Sequence, residues 1–309
     1  MCFRFVKDKI GKVKRIEQFS YGKLCAYTSL EYGDKFIVYR DYDSRGNRRS
    51  NSEGISTKRY EFGENGLLSS TSFFDDNEKP VLDYKGVSRY CYSYNDMGKI
   101  VEEIHMGVDD IPVRDIRGVC IQRFKYDAMG NIIEESYFDE NDRPAQDSCN
   151  ISTIISRYNE TGKPVEERFY DYQREPVESN SSGVAAILNK YNNCGYWVEK
   201  RYFRKDGNLK NYGAAIIKRD LDEKGNILEI QHFDARGKLV ETIEPGVAMV
   251  IKRYDSEDNC IEEQYFGNNG CPADIGSDHV SLIRYDWGKK TGDLKIIRMN
   301  KSGKIVTSP

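Results

Sequence analysis

The chain has 309 residues and a formal net charge of −3, with 31% charged and 38% hydrophobic residues. That balance argues against a general nucleic-acid binder, which carries a basic face. The low apolar share suits a thin structure with much surface rather than a thick globular core.

In chain order, residues 1–21 hold about half of a repeating module and read as an N-terminal half-repeat or cap. Met1 to Lys14 lacks the apolar run of a signal peptide, and no segment approaches the roughly 18 apolar residues of a membrane span. The short basic run Lys7 to Arg15 reads as a solvated terminal strand. Phe3 and Phe5 alternate with polar residues, and Ile16 to Tyr21 has strand composition.

From Gly22-Lys23 onward one module returns about every 32 residues. Its opening pair recurs as Gly54-Ile55, Gly86-Val87, Gly118-Val119, Gly183-Val184, Gly213-Ala214 and Gly246-Val247, while Asn150-Ile151 and His279-Val280 keep the register without glycine. The spacings are 32, 32, 32, 32, 33, 30, 33 and 33, so nine repeats fit. A fixed period of this size marks a repeat architecture.

Each repeat reads as strand, turn, strand, turn. The first turn is Tyr126-Asp127-Ala128-Met129-Gly130-Asn131, matched by Tyr94 to Gly98, Tyr158 to Gly162, Tyr191 to Gly195 and Leu221 to Gly225. Asp or Asn bonds nearby backbone amides there, and Gly tolerates the positive φ. The second strand, Ile132 to Phe138 and its relatives, ends in an aromatic residue or Met. The second turn runs Phe138-Asp139 to Pro144, and five of the eight prolines fall at its end, an edge or loop position. These legs predict one good hairpin per repeat with a short third strand. The ninth repeat ends after Ile296 to Met299 and a turn at Asn300 to Gly303. No segment shows helical spacing of apolar residues. The fold class expected is therefore all-β: a single elongated array over 22–309, a solenoid or meander of about nine hairpin repeats. At about 4.8 Å per strand its length is on the order of 90 to 130 Å.

Three columns of side chains could carry chemistry. The first is acidic: Glu102, Glu134, Glu166, Glu199, Glu229 and Glu262. It reads either as a carboxylate ladder for cations or basic partners, or as solvent-facing residues paired with Arg123, Lys125, Lys218 and Arg253 across the hairpin; the second reading is favoured. The second column is ring-bearing: His105, Tyr137, Phe169, Tyr202, His232 and Tyr265. Such a row could stack on sugars or a peptide, but packing between repeats is the favoured role. The third is the turn acid: Asp75, Asp127, Asp139, Asp171, Asp234 and Asp255. Calcium would need several oxygens on one loop. The spacing is not that of an EF-hand, and backbone capping fits better. Candidate binding residues are thus Tyr137, Phe169, Tyr202, His232 and Tyr265 with Glu134, Glu166 and Glu199.

No nucleophile-elbow, zinc-protease, phosphate-loop or dinucleotide motif is present, and His279 replaces a glycine with no fixed partner. The eight cysteines are scattered without paired spacing, so neither a disulfide framework nor a zinc site is expected. Free thiols lean toward a reducing, cytoplasmic compartment. No cofactor, metal or catalytic residue is expected.

The turns Tyr42-Asp43-Ser44-Arg45-Gly46-Asn47 and Tyr126-Asp127-Ala128-Met129-Gly130-Asn131 resemble those of the YD-repeat, or RHS-type, families. Tyr137-Phe138-Asp139-Glu140-Asn141 is also similar to the hairpins of bacterial toxin and cell-wall-binding repeats. The resemblance implies a bacterial β-hairpin array acting as scaffold, container or binding surface, with no catalytic residues. The function expected is a non-enzymatic structural or interaction protein that binds another protein, or extends a longer array of the same chain, through exposed β surface. A carbohydrate-binding module using the ring column is the alternative.

Overall fold

One turn, used three times in each repeat, sets the fold. In the first turn Asp127 Oδ1 accepts hydrogen bonds from the N–H groups of Met129 and Asn131, both at 2.9 Å. The N–H of Asp127 donates to the Asn131 carbonyl and that of Gly130 to the Asp127 carbonyl. Gly130 has φ +84°, which brings a β-carbon no benefit and glycine no penalty. The second turn repeats this pattern at Asp139, with Asn141 and Arg143 as donors. A third turn repeats it at Asp147, with Cys149 and Ile151.

The third turn revises the reading of the Gly-Val pair. Gly118 (φ +88°) closes the turn that begins at Asp115, and the strand starts later, at Ile121. The valine after the glycine is not a strand residue but a plug: Val87, Val119 and Val247 are fully buried. Burying one such side chain contributes about 1.5–3 kcal/mol. Where glycine is missing, the replacement still takes the left-handed conformation, as at Asn150 (φ +69°) and His279 (φ +52°).

These turns connect the strands of a hairpin, for example Ile121–Tyr126 with Ile132–Phe138. Its register carries an extra residue between Ile132 and Glu134. The same bulge recurs beside Tyr94, Tyr191, Leu221 and Tyr254. A bulge accommodates the odd residue of the turn and sharpens the local twist. The expected third strand is a one-residue bridge, as in Phe138 with Pro144. The flanking bonds run from Ala145 N–H to Tyr137 O and from Asp139 N–H to Arg143 O. Proline's missing N–H is therefore not needed at its own position.

The turn tyrosine has a separate task. Tyr126 Oη donates to the carbonyl of Ile100 in the preceding repeat at 2.5 Å, and Tyr94 to that of Leu68 at 2.7 Å. Tyr191 and Tyr254 make the same bond to Pro164 and Ile227. Trp287 substitutes its indole N–H, donating to Cys260 O at 2.8 Å. Each ring clips its repeat to the bulge of the one before. Tyr126→Phe is expected to cost about 1 kcal/mol, the net value of one hydrogen bond, read as a lower urea midpoint at unchanged m-value.

The computed structural model describes residues 1–210, 213–243, 245–288 and 294–306. They form 21 strands and no helix, paired antiparallel, so the chain is all-β. It divides into two compact units: Met1–Ile155 with Tyr170–Glu175, and Ser156–Phe169 with Pro176–Pro309. In the first unit, Cys2–Lys7, Val13–Ser20, Lys23–Tyr32 and Phe36–Asp43 pair in succession, followed by regular hairpins. Its core gathers Ile55, Phe73, Val87 and Tyr90. In the second, strands from Pro164–Tyr170 to Ile305–Val306 pair in succession, with a core around Val247, Val250 and Tyr265.

Candidate functional site

Side chains alternate across each strand, so the sheet of each unit has two unlike faces. One face carries the acidic column. In the second unit Glu166 takes ion pairs from Arg157 and Arg168, Glu199 from Lys190 and Arg201, and Glu262 from Arg253 and Arg284. In the first, Glu134 pairs with Lys125 and Arg174, and Glu102 with Arg123. The cross-hairpin pairs expected of Arg123, Lys125 and Arg253 are present, in the case of Arg123 to the preceding repeat. Lys218 instead lies over the ring of Phe233.

The ladder is layered rather than solvent-facing. Glu166, Glu199 and Glu262 are buried. The cations above them are open: side chains of Lys125, Arg157, Lys190 and Arg253 are 67%, 75%, 62% and 66% exposed. The burial of Glu134 and Glu199 works to raise their carboxyl pKa values, but hydrogen bonds from Arg174 and Lys125, and from Arg201 and Lys190, outweigh it and hold both below the usual range.

Charged residues at the second turn serve the same ladder. Glu78, Asp110, Asp142 and Arg174 occupy the left-handed turn position that glycine would fill without strain. Asp110 pairs with Arg89, Asp142 with Arg123, Arg174 with Glu134, and Glu78 with Arg40 and Arg48. The backbone conformation thus positions a charge over the ladder.

The ring column lies on the opposite face and points inward. His105, Tyr137, His232 and Tyr265 are buried, and Phe169 and Tyr202 are half-buried. The row includes first-strand rings as well: Phe73, Tyr90 and His105 succeed one another edge to face, with centroids 6.0 and 5.2 Å apart. Tyr265 Oη donates to Glu263 Oε2 at 2.7 Å and Tyr90 Oη to Asp83 Oδ2 at 2.7 Å. Burial, then the Glu263 carboxylate, raises the Tyr265 phenol far above its ordinary value.

A polar cluster in the first unit fills the core beneath the third turn. His105 Nδ1 is 2.9 Å from the Val119 carbonyl and Nε2 is 3.0 Å from Glu103 Oε1. Asp115, whose side chain is fully buried, accepts from Arg117 Nε at 2.8 Å and lies 4.0 Å from His105 Nδ1. Arg117 also lies over the Tyr137 ring. Burial pushes the neighbouring Glu135 carboxyl up and the Cys120 thiol to about 11. Nothing in the sequence marks this cluster except the recurrence of Asp four residues before the plug valine.

The turn acids cap backbone amides, as in Asp75, Asp171, Asp234 and Asp255. Asn131 and Asn259 side chains, then backbone amides, hold Asp127 and Asp255 below the carboxylate range. Among the described residues no group of three or more His, Cys, Asp or Glu is placed to hold a metal ion, and no disulfide joins any of the eight cysteines. Among the described residues no helix is long and apolar enough to cross a membrane.

These shifts set a pH response. The buried His232 ring has a lowered pKa, caused first by burial. Its folded value lies below the unfolded one, so its contribution is full above about pH 6.5 and is lost as pH falls through the unfolded toward the folded value. Asp127, Asp255, Glu134 and Glu199 are lowered too, so theirs is lost below about pH 4. Thermal melts should show two acid steps, and His232→Gln should remove the first alone. A single step in the parent would sink this assignment.

No family model matches the sequence, and no curated protein does. Among solved structures the chain is similar to TcdB2-TccC3 without its hypervariable C-terminal region, with a TM-score of 0.48 and 11% identity over 98% of this chain and 15% of that one. It is similar to a chain of the Photorhabdus luminescens Tc holotoxin pore at TM-score 0.32 and 10% identity, over 93% and 16%. A porin-like protein from Bacteroides uniformis gives 0.28 and 10%, over 84% and 87%. The chain spans less than a fifth of the length of the first two.

Proposed function

We propose that this chain is a non-enzymatic β-repeat scaffold that docks a protein partner on its charged strand face. The observation that supports it is the layered ladder: cationic heads, 62–75% exposed at Arg157, Lys190 and Arg253, held at repeat spacing over buried carboxylates. Fixing each Lys or Arg on a carboxylate below it lowers the ordering entropy lost on docking, and an array of such heads suits an acidic protein surface. The residues that could do chemistry are otherwise engaged. The turn acids cap amides, His105 is buried between two acceptors, and most of the ring column packs inside.

The test is a capture experiment in paired form. The parent and an Arg157→Glu/Lys190→Glu/Arg253→Glu variant are immobilised together with a glycan array probed by both. A protein held by the parent, released by salt and absent from the variant supports the scaffold. Glycan hits that vanish in a folded Tyr137→Ala/Tyr202→Ala variant would replace it with the carbohydrate-binding reading.

A further inference from the structure

On the inward face of the second unit, one stretch breaks the charge pattern of the repeats. In a later hairpin Lys252 sits directly opposite Glu263, and their ion pair is 2.8 Å long. At the equivalent pair one hairpin earlier, Arg219 sits opposite Ile230. Lys200 likewise stands at the position that Glu103, Glu135 and Glu263 occupy in other hairpins, each the second-strand residue two before the column ring. Two successive hairpins therefore keep or gain a cation where the acid is gone.

The two cations are neighbours. Lys200 pairs in register with Ile217, and Arg219 is two residues further along the same strand, so both project from one face. Both rest on Trp197, Arg219 with its guanidinium carbon 4.2 Å and Lys200 with its ammonium 5.0 Å from the ring centroid. Among the described residues neither has an acidic partner, although both are half-buried. One donor of the pair is buried and lacks a partner: Arg219 Nε. Burial lowers the Arg219 pKa, with the Tyr254 phenol working the other way.

Two half-buried cations that share one indole and have no acidic partner are stabilised when an anion joins them. A planar guanidinium matches a carboxylate in two-point geometry, and the indole holds both cations in place. We infer that Trp197, Lys200 and Arg219 form a binding site for a carboxylate-bearing ligand, which takes the role Glu263 plays for Lys252. The site is independent of the scaffold reading, since it lies on the face opposite the charged ladder.

The probe is glutarate, followed by indole fluorescence in a Trp287→Phe background so that Trp197 is the remaining indole. A saturable change is expected, at least about fivefold weaker in Lys200→Gln and in Arg219→Gln. Ile230→Glu supplies an internal carboxylate opposite Arg219. It should abolish the response; because Ile230 also packs beside the Val247, Val250 and Tyr265 core, the variant is compared only where a cooperative thermal melt shows it folded, so loss of binding cannot be blamed on unfolding. Inorganic phosphate at the same ionic strength should bind more weakly; equal binding would overturn the carboxylate assignment. No saturable response in the parent, or an equal response in the folded Lys200→Gln and Ile230→Glu proteins, would overturn the site.

Discussion

Replacing Tyr265 by alanine is expected to destabilise the second compact unit by about 3 kcal/mol, within the range for removing a large core ring. The residue is 8% exposed and packs on Val247 and Val250, with Ile230 and Ile283 beside them. Its hydroxyl also satisfies the half-buried Glu263, which then keeps Lys252 as its partner. Tyr265→Phe should therefore lose less, about 1.5 kcal/mol, the lower end for a hydrogen bond to a charged group. Urea unfolding of the two variants reads both terms. If the ring column were a ligand surface, alanine would fall within about 0.5 kcal/mol of the parent, as exposed substitutions do. That result would return the column to the list of binding surfaces.

Asp115→Ala is expected to cost about 3–4 kcal/mol in the first unit. Its Oδ1 accepts from the N–H groups of Arg117 and Val119, at 2.9 and 3.0 Å, and its Oδ2 from Arg117 Nε. Val119 is fully buried, so no water can replace the lost acceptor for its amide. An unsatisfied buried donor costs about 1–3 kcal/mol, and a guanidinium left without its partner adds to that. Asp115→Asn keeps the oxygen and loses the charge, and should cost about 1 kcal/mol; Asn performs the same capping at Asn51 and Asn159. Amide hydrogen exchange at Val119 and Cys120 gives the local readout. Equal losses in the two variants would mean that capping is not what Asp115 does.

The two variants bear on different links of the same chain of causes. Asp115 determines whether the third turn closes, and the third turn decides whether Val119 is delivered to the interior. Tyr265 acts after that, in packing. A repeat with a poor turn should therefore lose its plug before its rings, and Asp115→Ala should expose Val119 while the Tyr126 to Ile100 clip persists.

How much could be read in advance follows from which contacts are local. The capping of amides by Asp127, Asp139 and Asp255 was legible, because donor and acceptor lie within four residues. The pairing of Lys125 and Arg253 with the acidic column was legible too, since hairpin register follows from turn length. The plug role of Val119 was not: Gly-Val reads equally well as a strand start, and only the burial of the valine distinguishes the two. Nor was the clip from Tyr126 to Ile100, which crosses 26 residues to the previous bulge.

The amino-acid order by itself settled the period, the turns and the all-β class, because each of these depends on interactions a few residues apart. It left open which face each column occupies and what each charged side chain meets, since those depend on strands that approach only after the turns close. Arg219 shows this most clearly: nothing local distinguishes it from Lys252, and only the residue across the hairpin, Ile230 in place of an acid like Glu263, leaves it without an acidic partner.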